Sequence, residues 1–503
     1  MNLARLARAL VSGFVREESA LALIVIGVRL AVFSYAGSPL PYYDQWVMEF
    51  NDTLMSIATG NGFSALVFRH NEHMMLTTKM LTLLGFYVNG YWDVSFLVIC
   101  SATIRALTAL VTFRFISGGA EPRTKLLLWF LCALLFAVPY SGFNALNGMQ
   151  VSFYLVDCAL LWSLRATTKW DSPVTGGAAL IGGTLLGVVS FASAVAIPAC
   201  TLAAHLFQRR ARRGFWQAWI ISAAIALTFV FTGRSSTTIS NNNILAHLSA
   251  AARFWLQIIS WPTDSALVGV LMIVLAAIIL FVVIKRGDCR TTANATIIGL
   301  GTYAVVNAAF IALSRDSSAW HMRHWDTIAL LPFAIIAFGF KLRDQDILRR
   351  SVALLLSAVA LGYICYMGNL IRSVSWPYIE AAHDTRSAAL AHYRDLFSQP
   401  DFRRESQRIN ELLERDDFSF FDDPIGRFSL HPIVARNIVA LRPQAQSLLP
   451  PVLFSVRSES RFGWYAEKIM SSGWLLVICG IILGFAATRR KLDRSTSTPT
   501  DMN

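Results

Sequence analysis

The chain has 503 residues, of which 55% are hydrophobic and only 15% charged, against roughly 25% charged in an ordinary soluble domain. Mean hydropathy is +0.50, and the apolar residues lie in long runs nearly free of charge, which excludes a conventional soluble enzyme and points to membrane spans. The net charge of +13 does not indicate nucleic acid, because the basic residues cluster in short connections between apolar runs.

In chain order, the opening stretch 1–19 carries Arg5, Arg8 and Arg16 and leads into the apolar run 20–35 without a small-residue cleavage pattern. A retained first span is expected there. About twelve candidate spans follow on length and apolarity: 20–35, 94–116, 126–140, 151–164, 176–190, 194–207, 215–232, 266–284, 293–313, 327–340, 352–371 and 471–487. With a cytoplasmic N-terminus, the inner segments are 1–19, 117–125, 165–173, 208–214, 285–292, 341–350 and the tail from 489. Each holds at least two Lys or Arg, for example Arg209, Arg210, Arg212 and Arg213, and the outer short loops hold few. That asymmetry supports both count and orientation. The stretch 176–207 is long for one helix, short for two, and basic on both flanks. It predicts a broken hairpin with its tip near Ser190, Phe191, Ala192 and Ser193, buried or lining a cavity.

The expected fold is therefore an all-α polytopic membrane protein. Residues 1–371 form a transmembrane core with a first outer loop at 36–93. Residues 372–470 form a small, mostly helical outer domain punctuated by prolines, with helices expected at 381–396 and 406–413. A last span at 471–488 and a disordered cytoplasmic tail at 489–503 complete it. Six of the seven cysteines fall inside apolar runs and there is no CxxC, so neither a disulfide framework nor a zinc site is expected.

Three outer-facing clusters carry polar chemistry. In the first, Tyr43, Asp44, Gln45 and Trp46 stand just beyond the first span, and aromatic flanks suit the membrane boundary; the alternative is a turn with a solvated Asp44. In the second, Arg69, His70, Asn71, Glu72 and His73 precede the apolar stretch 74–88, which is expected to lie in the interface or re-enter. His70, Glu72 and His73 could ligate a divalent metal, but His-x-Glu-His is not the spacing that puts two imidazoles on one helical face. Hydrogen bonding is the other role open to them, and Lys79 follows as a further cation. In the third, Arg315, Arg323 and His324 lie on an outer loop, against the topological bias. A guanidinium matches a phosphate oxygen pair, although lipid headgroups, Asp316 or Asp326 could also occupy these arginines. Between the clusters, Asn144, Asn147 and Gln150 offer amides to sugar hydroxyls, or simply a turn with a helix cap. An acid, several hydrogen-bonding groups and a cation fit displacement at a sugar carbon with a phosphate leaving group, the carboxylate acting as base and the arginine offsetting charge.

At these residues the chain resembles bacterial GT-C-type glycosyltransferases, polytopic enzymes that use polyprenyl-phosphate sugars. The resemblance rests on Asp44-Gln45-Trp46 after the first helix and on His70-Asn71-Glu72-His73 some 25 residues later. It extends loosely to Gln150, to Phe191-Ala192-Ser193 and to Arg323-His324. Met74 stands where that subgroup has Arg, and His324 where it has Tyr. The resemblance implies Asp44 as catalytic base; Glu72 stands beside it as a second candidate catalytic carboxylate. It implies Arg323, Arg315 and Lys79 on the donor phosphate, and Tyr43, Gln45, Trp46, His70, Asn71, His73, Gln150 and His324 around the substrates. The implied partners are a polyprenyl-phosphate-linked sugar, an envelope glycan acceptor such as O-antigen, and membrane lipids, but no nucleic acid. The implied location is a bacterial inner membrane with both termini cytoplasmic and a periplasmic site. No cofactor is required, and a divalent metal is an option.

Two alternatives stand beside this. A secondary transporter commonly has such a span number, but its two related halves are not evident here. A ligase or polymerase acting on diphosphate-linked glycans would share the outer arginines.

Overall fold

A computed structural model describes residues 17–70, 73–170, 172–208, 213–233, 244–285, 291–314, 322–342, 347–398, 447–449, 453 and 461–496. Every regular element among them is a helix; the one bridge joins His70 and His73. The helices used below are α1 (Glu17–Ala36), α2 (Trp46–Met55, wound at π pitch), α3 (Leu76–Asn89), α4 (Val94–Ile116), α5 (Pro122–Ala137), α6 (Gly142–Leu146), α7 (Val151–Thr168), α8 (Pro173–Ser190) and α9 (Ile197–Gln208). Then follow α10 (Phe215–Gly233), α11 (Ile244–Ile259), α12 (Ala266–Lys285), α13 (Thr292–Ser314), α14 (Trp325–Ile328), α15 (Leu330–Leu342), α16 (Ile347–Leu370), α17 (Trp376–Ser398), α18 (Arg461–Ser471) and α19 (Gly473–Thr496).

Six of the described helices are long and apolar enough to cross a membrane: α1, α4, α8, α10, α12 and α13. The pair α18–α19, bent by 50°, makes a seventh if counted as one span. The architecture is that of a multi-pass membrane protein. The remaining apolar runs are helical too, but α5, α9 and α15 have only 16, 12 and 13 residues. Helix α7 buries Ser152, Asp157 and Ser163 among its apolar residues. The buried face of α7 is enclosed by protein, which tolerates polar groups that lipid would not.

The break in 176–207 lies where the sequence places it. Helix α8 starts at Pro173, capped by Ser172 Oγ on the Thr175 amide, and ends at Ser190. Phe191 is extended, and a tight turn over Ala192–Ala196 leads into α9. At the far end of α9, Gln208 Nε2 reaches the Thr168 carbonyl at 3.5 Å, and Trp170 Nε1 donates to the Arg213 carbonyl at 3.2 Å. Both ends of the hairpin therefore return to the foot of α7, with Phe191 at the tip.

The apolar side chains form two main clusters. The larger runs through the helical bundle; the second gathers Trp46, Phe50, Trp92, Tyr378, Ile379 and Tyr393 beyond the end of α1. Helices α1 and α19 pack most intimately. A Cβ on Gly27 would lie 2.6 Å from the Gly473 carbonyl, so small residues let the two backbones touch. Helix α3 is polar inward and apolar outward: Thr78, Lys79 and Thr82 are buried, while Met80, Leu84, Tyr87 and Val88 are exposed on one face. That inversion suits a helix lying against lipid.

Two features go beyond the sequence analysis. The connection after α10 is assigned no element there. It contains α11, which packs on α13 with Trp255 Nε1 donating to the Val305 carbonyl at 3.1 Å. Its apolar face was visible in the sequence, but at 16 residues it is too short for a span. Second, the helix is continuous across the expected 371/372 boundary. Helix α16 continues through a π-wound turn at Ile371–Ser375 into α17, which covers the expected 381–396 helix. The tail expected to be disordered at 489–503 is instead helical over its described part, because α19 runs on to Thr496; 497–503 and the expected 406–413 helix lie outside the described residues.

Candidate active site

The chain leaves α1 and turns back at Tyr42. The Gln45 Oε1 accepts the Tyr42 amide at 3.0 Å, the reach-back that starts a helix. Successive side chains of a helical turn diverge by about 100°, and the next residues separate accordingly. Gln45 is fully buried and donates through Nε2 to Glu49 Oε1 at 2.9 Å, while Glu49 Oε2 accepts Trp92 Nε1 at 2.8 Å. Burial pushes the Glu49 carboxyl up to about 7, against the two hydrogen bonds, which favour its charged form. Trp46 is fully buried among Phe50, Trp92 and Tyr393. Gln45 and Trp46, expected around the substrates, therefore lie inside the loop and anchor it. Asp44 alone faces out, 34% exposed. The side chain of Tyr43 lies outside the described positions, as do Asn71, Glu72 and Arg315.

Arg323 comes to Asp44 from the far side of the chain, on the turn Met322–His324 that leads into α14. Its Nη1 lies 3.9 Å from Asp44 Oδ2, with Arg323 22% exposed. The distance is that of an ion pair without a hydrogen bond. Among the described residues Arg323 is the only charged partner of Asp44.

The turn bearing Arg323 is fixed from below. Asn144 Nδ2 donates to the Arg323 carbonyl and to Asp326 Oδ2, both at 3.0 Å. Asp326 is buried and also accepts Tyr154 Oη at 2.8 Å. It pairs with Arg105 at 3.3 Å and Arg29 at 3.6 Å. Arg105 further donates to the carbonyls of Leu135 and Phe136, and the Tyr154 ring lies under both guanidinium groups. Helices α1, α4, α6, α7 and α14 thus meet at one carboxylate. The sequence reading left Asp326 as a partner for Arg323; its partners are Arg29 and Arg105. Those two arginines were the visible signal, because cations inside apolar runs require a counter-charge.

The second motif closes as a turn in which His70 and His73 exchange backbone hydrogen bonds at 2.8 and 3.0 Å. The His70 ring faces Asp52 at 3.5 Å, a carboxylate the sequence reading did not single out. The His73 ring stacks on Phe191 at 3.7 Å, Phe191 on Phe153 at 4.2 Å, and Phe153 meets His324 at 6.1 Å. This aromatic series joins the histidine turn, the hairpin tip, α7 and the arginine turn. Gln150, two turns' length before the middle of α7, is buried, and its Oε1 has no hydrogen-bond partner among the described residues. Lys79, expected on the donor phosphate, lies inside its loop. Its Nζ is buried and donates to the Ala65 and Phe68 carbonyls at 2.9 and 2.6 Å, and burial lowers its pKa. Two of its three donors thus close the loop over it. Among the described residues no three metal-ligating side chains converge; His70 and His73 point to different partners.

No known family model matches the chain. No curated protein and no solved structure is significantly similar to it either. The geometry of the chain's own residues carries the functional argument.

Proposed function

We propose that the chain is a GT-C-like membrane glycosyltransferase, with a polyprenyl-phosphate-linked sugar as donor and an envelope glycan as acceptor. The observation that carries the reading is the approach of Asp44 to Arg323, a part-exposed acid and a part-exposed cation from opposite ends of the core. In this reading the acceptor hydroxyl attacks the anomeric carbon. Its proton passes to Asp44, the carbon–oxygen bond to the phosphate breaks, and the polyprenyl phosphate leaves with that electron pair. Arg323 exchanges Asp44 for the donor phosphate, which frees the carboxylate to act as base and places a cation where charge grows. Gln150 and the histidine turn supply hydrogen bonds to sugar hydroxyls. Glu72 and Arg315 remain candidates for the same site.

The finer topology belongs to the same proposal: about twelve crossings, with the shorter helices completing the count inside the bundle. The basic loops face the cytoplasm and the Asp44 side faces out. The return of the α8–α9 hairpin to the foot of α7 supports the parity. A transporter would need ionisable groups free to change partner along a pathway; the intramembrane aspartate Asp326 is instead held by four side chains at once.

The test is transfer from a synthetic polyprenyl-phosphate sugar by purified full-length protein. Asp44→Asn is expected to lower turnover by about 10²–10⁴-fold at unchanged expression. Arg323→Ala is expected to lower it by about 10²–10³-fold and to impair donor use more than acceptor use. Near-normal turnover by Asp44→Asn overturns the reading.

A further inference from the structure

At the opposite end of α4 from Trp92 and Asp44, a groove of about 740 Å³ opens between α4, α7 and the start of α13. Twenty helical residues separate Val94 from Arg114, so this groove lies roughly 30 Å from the outer cluster. Its wall is apolar, with Leu107, Val111 and Trp162; its lip is cationic, with Arg114, Arg165 and Lys169. Leu107 and Trp162 are each about half exposed, and all three cations are exposed. None of the three has a carboxylate partner among the described residues. The Arg165 guanidinium rests over the Phe115 ring at 5.4 Å, which fixes it at the lip. The first turn of α13, at Thr292 and Ala293, opens on the same lip and adds the positive end of a 23-residue helix.

An apolar wall ending in three converging cations matches one kind of molecule, an amphiphile with an acyl chain and an anionic head. We infer that this groove binds an anionic phospholipid of the leaflet on the basic-loop side. Its phosphate sits among Arg114, Arg165 and Lys169, and one acyl chain lies along Leu107, Val111 and Trp162. Basic pockets between membrane helices recognise acidic headgroups on this charge logic, and Trp162 takes the boundary position that indole favours. Ordinary loop charge does not account for the groove: Arg123 belongs to a neighbouring basic segment and is exposed outside it. The inference is independent of the transfer reading.

The experiment is thermal unfolding of delipidated full-length protein in detergent, titrated with phosphatidylglycerol or with phosphatidylcholine of the same chains. Phosphatidylglycerol is expected to raise the midpoint saturably by about 2–5 °C, and phosphatidylcholine to leave it unmoved. The combined change Arg114→Gln, Arg165→Gln and Lys169→Gln should remove the response, and Arg123→Gln should keep it. Leu107→Trp, which fills the wall with every charge intact, should also remove it and covers the case in which the triple variant fails to fold. Asp44→Asn should respond as the unaltered protein does, which separates this site from the proposed active site. Equal responses to both lipids, an undiminished response in Leu107→Trp, or a response to polyprenyl phosphate alone overturns the inference.

Discussion

Asp44 and Asp326 both face arginine, and they are otherwise opposites. Asp326 lies in the bundle with only 4% of its side chain exposed, and four side chains from four other helices converge on it. Asp44 lies at the outer edge, one third exposed, with a single cation at 3.9 Å. A carboxylate whose lone pairs are engaged holds structure; one that is partly solvated and loosely paired can still accept a proton. The two are linked, because Asn144 spans Asp326 and the turn that carries Arg323. The rigid aspartate therefore positions the cation of the open one.

The sharpest way to break this contrast is to remove each charge in turn. Asp44→Asn should abolish transfer and leave the melting midpoint unchanged. Asp326→Asn should do the reverse first. It leaves Arg29 and Arg105 buried without their counter-charge, a loss of about 3–5 kcal/mol, read as poor recovery and a lowered midpoint in detergent. If Asp326→Asn melts like the unaltered protein, Asp326 is not the clamp described here. Next in size is Asn144→Ala, which cuts the link. Transfer should fall about tenfold, with a stability loss of about 1–2 kcal/mol, and the defect should show mainly as weakened donor use. A defect confined to stability would mean that Arg323 is positioned without Asn144.

A third carboxylate sharpens the comparison by pH. Glu49 is buried like Asp326 but has no cation beside it among the described residues, and its carboxyl is pushed up to about 7. The raised value means the folded state binds the proton more tightly than the unfolded chain does. Its contribution is complete below about 4.5 and is lost as pH rises through 7. The midpoint should fall between pH 5 and 8, and Glu49→Gln should flatten that slope. An unaltered slope in Glu49→Gln would assign the pH dependence to other groups.

Much of this was legible from residue type and spacing. The exposed acid after α1, the arginine on a late outer turn and the break at Phe191 could each be placed before any coordinates. The aromatic series from His73 to His324 joins segments that the motifs had already marked. What the sequence hid follows from direction and enclosure. Gln45 and Trp46 adjoin Asp44 in the chain, yet helical rotation sends them inward, and Lys79 has two carbonyls within reach only once its loop folds over it. The same limit applies to the span count. An apolar run of 13 residues such as α15 reads alike whether lipid or other helices surround it.

The uninterrupted course of α16 into α17 has a mechanical consequence. The rod is tied at Ser375, whose hydroxyl bonds the Tyr140 carbonyl, and at Tyr393, which stacks on Trp46 beside the proposed base. One residue inserted between those ties would rotate the outer end by about 100° and withdraw Tyr393 from the indole. Length changes there are compatible with the loop only in near-whole turns, so the distance between bundle and rim is set as a gear sets its teeth.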